Sequence, residues 1–352
     1  MSRNGPILAN PPVLSRLRLS AAAVASCYAG WVLGLPTGPQ VIGGQASISV
    51  AGQSLTVTNT PGAIINWQGF SIGSGELARF IQHSSQSAVL NRVVGQDPSV
   101  ILGQLMSNGR VFLINPSGIT FGAGAQIDVA GLAASTLHLS DADFLAGRLN
   151  FKAQGDPGAV KNQGEIRTPI GGSVILIAPK VENSGLINTP GGDIILAAGR
   201  SVEIADAMNP SIRFQVSAPQ DEALNIGKIV AAGGRIGLQG GIVRNSGRIS
   251  ADSAVVENGK IVLRKAVTLA KADPPLEDSA RAGQVVLNGS ASLALESGST
   301  VTADGEGGRI ELLSGGDIQL KADSAVSATG VSGGAVDVKA SQTLWVGGAV
   351  EA

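Results

Sequence analysis

The sequence predicts an all-β chain wound as a right-handed parallel β-helix, a single-stranded solenoid with short extra-helical strands or hairpins. Three observations predict it. The first is a repeat. A glycine, one variable residue and alternating aliphatics occur at Gly172-Ser-Val-Ile-Leu-Ile, Gly192-Asp-Ile-Ile-Leu-Ala and Gly234-Arg-Ile-Gly-Leu-Gln, and return at Gly308, Gly316 and Gly334. The first three start at 172, 192 and 234, steps of 20 and 42, near one and two copies of 21. An Asn-x-Gly tag at Asn162, Asn183 and Asn245 steps by 21 and 62, near one and three copies. Such periods signal stacked units, each unable to bury its inward face alone. The second observation is spacing. Apolar residues alternate every second position, as in Arg309-Ile310-Glu311-Leu312, which is strand and not helix spacing. The third is composition. The chain is 43% hydrophobic, only 3% aromatic and 14% charged, with 49 glycines. Small aliphatics suit a narrow layered core, and the chain is too apolar for a disordered glycine-rich linker.

Taken in order, residues 1–34 read as a secretory signal. Arg16 and Arg18 precede the apolar, small-residue stretch Leu19 to Leu33, and Pro36-Thr37-Gly38-Pro39 ends it. The stretch is short for a membrane span. Cleavage near Gly34 is expected; a rival reading is a lipoprotein signal at Val24-Ala25-Ser26-Cys27. Cys27 is the single cysteine, so a mature chain lacking it can form no disulfide. The β-helix then occupies 35–265. Within it, the apolar run Val111 to Ile114 stops at Asn115-Pro116-Ser117-Gly118 and restarts at Ile119. That tetrad matches a type I turn: asparagine at the first position, proline presetting φ at the second, glycine at the fourth. Loss of one local hydrogen bond from Asn115 should cost about 1 kcal/mol. Lys271-Ala-Asp273-Pro274-Pro275-Leu-Glu277-Asp278 interrupts the strands, because two successive prolines cannot both sit in a central ladder. Residues 266–352 are therefore an excursion followed by further repeats. They end at Trp345-Val346-Gly347-Gly348 without an evident cap, which predicts a longer exoprotein or a neighbouring chain over that end.

The segment 111–136, with Asn115-Pro116-Ser117-Gly118-Ile119, resembles the haemagglutination-activity segment of two-partner-secretion exoproteins, the filamentous-haemagglutinin-like family, whose signature is Asn-Pro-Asn-Gly-Ile. Ser117 stands where that family has a second asparagine. Further blocks resemble the same domain: Ile64-Ile65-Asn66-Trp67-Gln68-Gly69-Phe70 and Ser87-Ala88-Val89-Leu90-Asn91-Arg92-Val93 upstream, and Asn209-Pro210-Ser211-Ile212 and Ala218 to Gly227 downstream. The downstream pair is closest to the branch of high-molecular-weight adhesins of Gram-negative bacteria. The resemblance runs from about Leu35 to about Arg264. It implies a secretion domain recognised by the periplasmic POTRA domains of an outer-membrane barrel transporter. Carried over by position, the recognition residues are Asn115, Pro116, Ser117 and Gly118, with Asn66, Trp67, Asn91 and Arg92 as secondary candidates. The alternative for the tetrad is that it only builds the corner.

No catalytic or metal constellation is legible. His83 and His138 lie far apart with no cysteine partner, and a metal site needs a clustered ligand set. Asp141 and Asp143 follow Ser140 as a turn or helix cap would. Gly305-Glu306-Gly307-Gly308 does not sustain a calcium-binding nonapeptide. Ser135 and Thr136 have no base beside them, and Asn288-Gly289-Ser290 is an isolated glycosylation sequon. The net charge of -1 excludes a basic nucleic-acid footprint. The reading is a non-enzymatic, cofactor-free N-terminal secretion domain of a large secreted or surface-exposed adhesin, exported through Sec and the periplasm. A host receptor or glycan would be met by the mature exoprotein. The rival is a self-standing carbohydrate-binding or carbohydrate-degrading β-helix.

Overall fold

In the computed structural model the described residues are 34–204, 212–215, 221–252, 254–257, 260–263, 282–330 and 333–352. Residues 1–33, which hold Cys27 and nearly all of the expected signal, residues 209–211, residues 218–220 and the 271–278 interruption lie outside them. The strands are short and most pair in parallel with the strand one turn of chain away, which makes a parallel β-helix of three faces. On the first face, Ala63–Trp67 pairs with Ala88–Val93, and the ladder continues through 110–114, 131–135, Ser173–Ala178, Asp193–Ala198 and 235–240. It then reaches Arg309–Ser314 and Ala335–Ala340. The long strands Gln104–Ile114 and Gln126–Ser135 turn a corner and serve two faces.

Alternation fixes which side chains point inward, because successive residues of a strand face opposite ways. One inward column is Leu55, Ala78, Leu105, Ile127, Ile166, Ile187, Ile229, Ile249, Val301 and Val326. All ten are buried. Each coil thus closes the inward face of the previous one. At the amino-terminal end the first coil is covered by antiparallel strands: Gln40–Gly43 on Ala63–Trp67 and Ala46–Ala51 on Ser54–Asn59. That pairing satisfies an edge which would otherwise present free backbone groups. In the last coil the inward positions Val346 and Val350 are 52% and 41% exposed.

The third face carries a polar column inside the core. Asn162, Asn183, Asn225 and Asn245 are successive neighbours and fully buried. Each amide nitrogen donates to the next amide oxygen at 2.8 Å. Phe121 precedes this column and Leu295 follows it. Buried amides are tolerated here because each finds a partner one coil away.

The repeat count needs a correction. The 42-residue step from Gly192 to Gly234 is not two coils: Ile194 pairs directly with Ile236. One coil there carries a long excursion containing Ser201–Ile204 and Ile212–Gln215. The same holds from Asn183 to Asn225, so the 62-residue step to Asn245 is two coils. The glycines at the coil corners play two roles. Gly191 has φ +61 and makes a positive-φ corner. Gly192 does not; a Cβ on it would collide with the carbonyl oxygen of Gly172 in the coil beneath. Its role is close backbone approach.

The excursions form an extra-helical layer over the first face. His138–Leu139, Leu149–Lys152, Ser201–Ile204 and Ile212–Gln215 make a four-stranded antiparallel sheet in that order. A short helix, Asp141–Leu145, joins the first two; Ser140 caps it by accepting from the Asp143 N–H. The layer buries a second apolar cluster: Leu139, Phe144, Phe151, Val202 and Ile204 pack against the outward residues Ile64, Leu90, Phe112, Ile114 and Ile175. Phe112 and Phe144 meet edge to face, centroids 5.2 Å apart.

Candidate recognition site

The Asn115–Gly118 corner has the expected turn bond, Gly118 N–H donating to the Asn115 carbonyl at 3.1 Å. Gly118 has φ +124, a backbone that favours glycine. The Ser117 N–H donates to Asn115 Oδ1 at 3.0 Å, which closes a side-chain turn inside the backbone turn. The remaining contacts leave no local pattern in the sequence. Asn115 Nδ2 donates to the Asp97 carbonyl at 3.0 Å and to Ser99 Oγ at 2.9 Å. Asn115 and Ser99 have no exposed surface, whereas Pro116 and Ser117 are exposed. Asn115 therefore ties its own corner to the loop of the preceding coil.

The secondary candidates meet one coil earlier. Asn66 and Arg92 are register partners, as are Trp67 and Val93. Asn91 stands in an inward column between Ile65 and Leu113. Its polar side chain is accommodated because Trp67 Nε1 donates to Asn91 Oδ1 at 3.0 Å and Asn91 Nδ2 donates to the Phe112 carbonyl at 3.2 Å. Trp67 and Asn91 are fully buried. Trp67 also sits edge-on to Phe70, centroids 5.5 Å apart.

Arg92 points the other way. Its Nη2 donates to the Leu139 carbonyl at 2.9 Å and pairs with Asp141 Oδ1 at 2.6 Å, so it joins the coil to the extra-helical layer. Its Nε and Asn66 Oδ1 are buried without a hydrogen-bond partner. His138 lies beside this pair. Burial, and then the Arg92 charge, hold its imidazole below the usual value, against an opposing pull from Asp141. In the helix cap, bonds from Arg148 and then Ser140 lower the Asp143 carboxyl. Burial raises Asp221, with Arg200 opposing. Among the described residues no group of three or more His, Cys, Asp or Glu side chains is placed to hold a metal ion.

The structure thus groups the candidates into two buried knots and one inter-layer tie, with only Pro116 and Ser117 on the surface. The partners Asp97, Ser99, Leu139 and Asp141 were not legible, because each lies 16 or more residues from the side chain it serves.

The described residues make a three-faced β-helix with an antiparallel cap, an extra-helical layer and an Asn-Pro-x-Gly corner. The chain belongs to the TPS secretion domain family, whose model matches residues 35–338. It is similar to the crystal structure of the HMW1 secretion domain from Haemophilus influenzae, with 28% identity and a TM-score of 0.70 over 90% of this chain and all of that one. The filamentous hemagglutinin secretion domain matches at 15% identity with a TM-score of 0.48, over 90% of this chain and 99% of that one. Two heme/hemopexin-binding proteins of Haemophilus influenzae are also similar. One is 35% identical over 173 residues, 47% of this chain and 19% of that protein. The other is 43% identical over 77 residues, 22% of this chain and 8% of that protein. The matched segments therefore span a fifth or less of these curated relatives. TPS exoproteins are exported and are secreted or displayed on the surface, and a TPS domain implies an outer-membrane transporter as its partner.

Proposed function

We propose that this chain is read by the periplasmic POTRA domains of its transporter in an extended state, before the coils close. Residues 1–34 direct Sec-dependent passage into the periplasm. The segment from Leu35 onward then presents Asn66, Trp67, Asn91, Arg92 and Asn115 to Gly118 to the transporter. Burial carries this reading: Trp67, Asn91 and Asn115 have no exposed surface once the domain is folded, so a partner can touch them only earlier. Folding outside the cell then hides them. In this reading 35–265 is the secretion domain, and 266–352 is an excursion with further repeats that open a passenger. The whole exoprotein is a non-enzymatic adhesin that meets a host receptor or glycan. The names of the two Haemophilus relatives favour a second reading of the passenger, as a binder of haem-carrying protein.

Titrating the transporter's isolated periplasmic domains with chain freshly diluted from denaturant, and separately with refolded chain, tests the central step. The expected result is binding to the unfolded chain that disappears as it folds. Equal affinity for the folded chain would overturn the reading.

A further inference from the structure

We propose that the extra-helical layer is an acid-released flap, latched to the coil through Arg92 and closed over the apolar column Ile64, Leu90, Phe112 and Ile175. The argument begins with how the layer is held. Its strands are two to four residues long and its helix five. The coil beneath is continuous parallel ladder, paired above and below. Units with few backbone pairings open at lower free energy than the ladder they rest on.

The attachment is uneven across the sheet. Along the strand Ala88–Val93, Arg92 ties one side down through the Leu139 carbonyl and Asp141. Four residues away, about 13 Å at strand rise, Ala88 lines a cleft of about 400 Å³ between layer and coil. Gly131 and Gly147 line this cleft, with Phe112 from the coil and Phe144 from the layer. The polar latch therefore lies toward one side of the sheet and the cleft toward the other. Release of the latch would leave the apolar contacts in the middle to hold it.

His138 is the residue that makes the latch responsive to pH. It directly precedes Leu139, whose carbonyl receives Arg92. The charged groups facing it are Arg92, Asp141 and, in register across the strand pair, Lys152. A proton on His138 adds a second cation beside a guanidinium whose Nε is already without a partner. Because the folded state holds the imidazole below its ordinary 6.5, closure favours the neutral form. The stabilisation is complete above the unfolded value and is lost as pH falls through the folded one.

Hydrogen exchange of the full chain, read by mass spectrometry as protection factors corrected for intrinsic rates, tests this. Asp141→Asn leaves Arg92 an acceptor without the charge and should lower protection in 138–152 and 201–204 about 5-fold, as expected for a half-exposed ion pair. Strands 173–178 and 193–198 should stay within about twofold. Moving the wild type from about pH 7.5 to about pH 5 should lower protection in the same segments, and His138→Gln should abolish that response. Asp141→Asn keeps size and shape at a half-exposed position, so it spares the fold. Loss of protection shared equally by layer and coil would overturn the proposal. So would an unchanged layer in Asp141→Asn, or an acid response that survives His138→Gln.

Discussion

Replacing Asn115 with alanine separates the two roles open to the Asn-Pro-Ser-Gly corner. The side chain makes three hydrogen bonds: to the Asp97 carbonyl, to Ser99 Oγ and from the Ser117 N–H. Asp97 and Ser117 are exposed, so water replaces their lost partners at about 0.5–1 kcal/mol each. Ser99 has no exposed surface, and a buried hydroxyl left without its partner costs about 1–3 kcal/mol. The sum is about 2–5 kcal/mol, above the single-bond expectation of about 1 kcal/mol and still within the usual stability of a folded domain. In a chain of this size it should lower Tm by about 4–10 °C without unfolding the protein at room temperature. Ser99→Ala is the control, since it removes one of the three bonds and leaves Asn115 in place. The assay pairs thermal melting of the purified chain with the ratio of extracellular to periplasmic protein in cells carrying the transporter. Asn115→Ala should cut secretion well beyond what Ser99→Ala does once both are compared at their measured Tm. If the two variants fall on one line of secretion against Tm, the corner is structural and the recognition role of Asn115 is refuted. A Tm unchanged in Asn115→Ala would show that the bonds themselves are not formed.

Three further outcomes follow from packing. Gly192→Ala should abolish folding, because the new methyl meets the Gly172 backbone, which cannot move without opening the coil; a soluble variant with wild-type melting would contradict the close approach. Asn183→Ala should cost about 3 kcal/mol, since it leaves Asn162 without an acceptor and Asn225 without its donor inside the core. Asn183→Leu should cost no less, and a variant more stable than wild type in chemical denaturation would show that the amide column adds nothing. Trp67→Phe removes the indole donor to Asn91 Oδ1 and should cost about 2 kcal/mol; Trp67→Phe with Asn91→Leu should recover part of that, and no recovery in the double variant would argue against coupling.

Much of the fold was legible because the inward columns leave a period-two signature in sequence, as in Arg309-Ile310-Glu311-Leu312, and the coil corners leave recurring glycines. Extra-helical strands were expected, but the place where they leave the coil was not legible. A coil with an excursion has nearly the length of two plain coils, so the step from Gly192 to Gly234 reads as a doubled repeat until Ile194 is found beside Ile236. The tie of Arg92 to Asp141 spans 49 residues and depends on that layer, so no local pattern announces it. The Asn115 turn was legible from its residue types. Its burial was not, because a tight polar turn usually lies on the surface, and here the loop holding Asp97 and Ser99 comes back to accept its amide. Asn91 was legible as a residue of interest through resemblance alone; nothing local says that a polar side chain in that column is matched by an indole 24 residues away.

The most direct test of the account is export itself. The chain from Met1 to Ala352, produced with and without its outer-membrane transporter, is followed by cell fractionation. The account predicts extracellular protein only when the transporter is present, and periplasmic protein that is degraded or retained when it is absent. Equal extracellular protein in both strains, or retention in the periplasm despite a functional transporter, would contradict it.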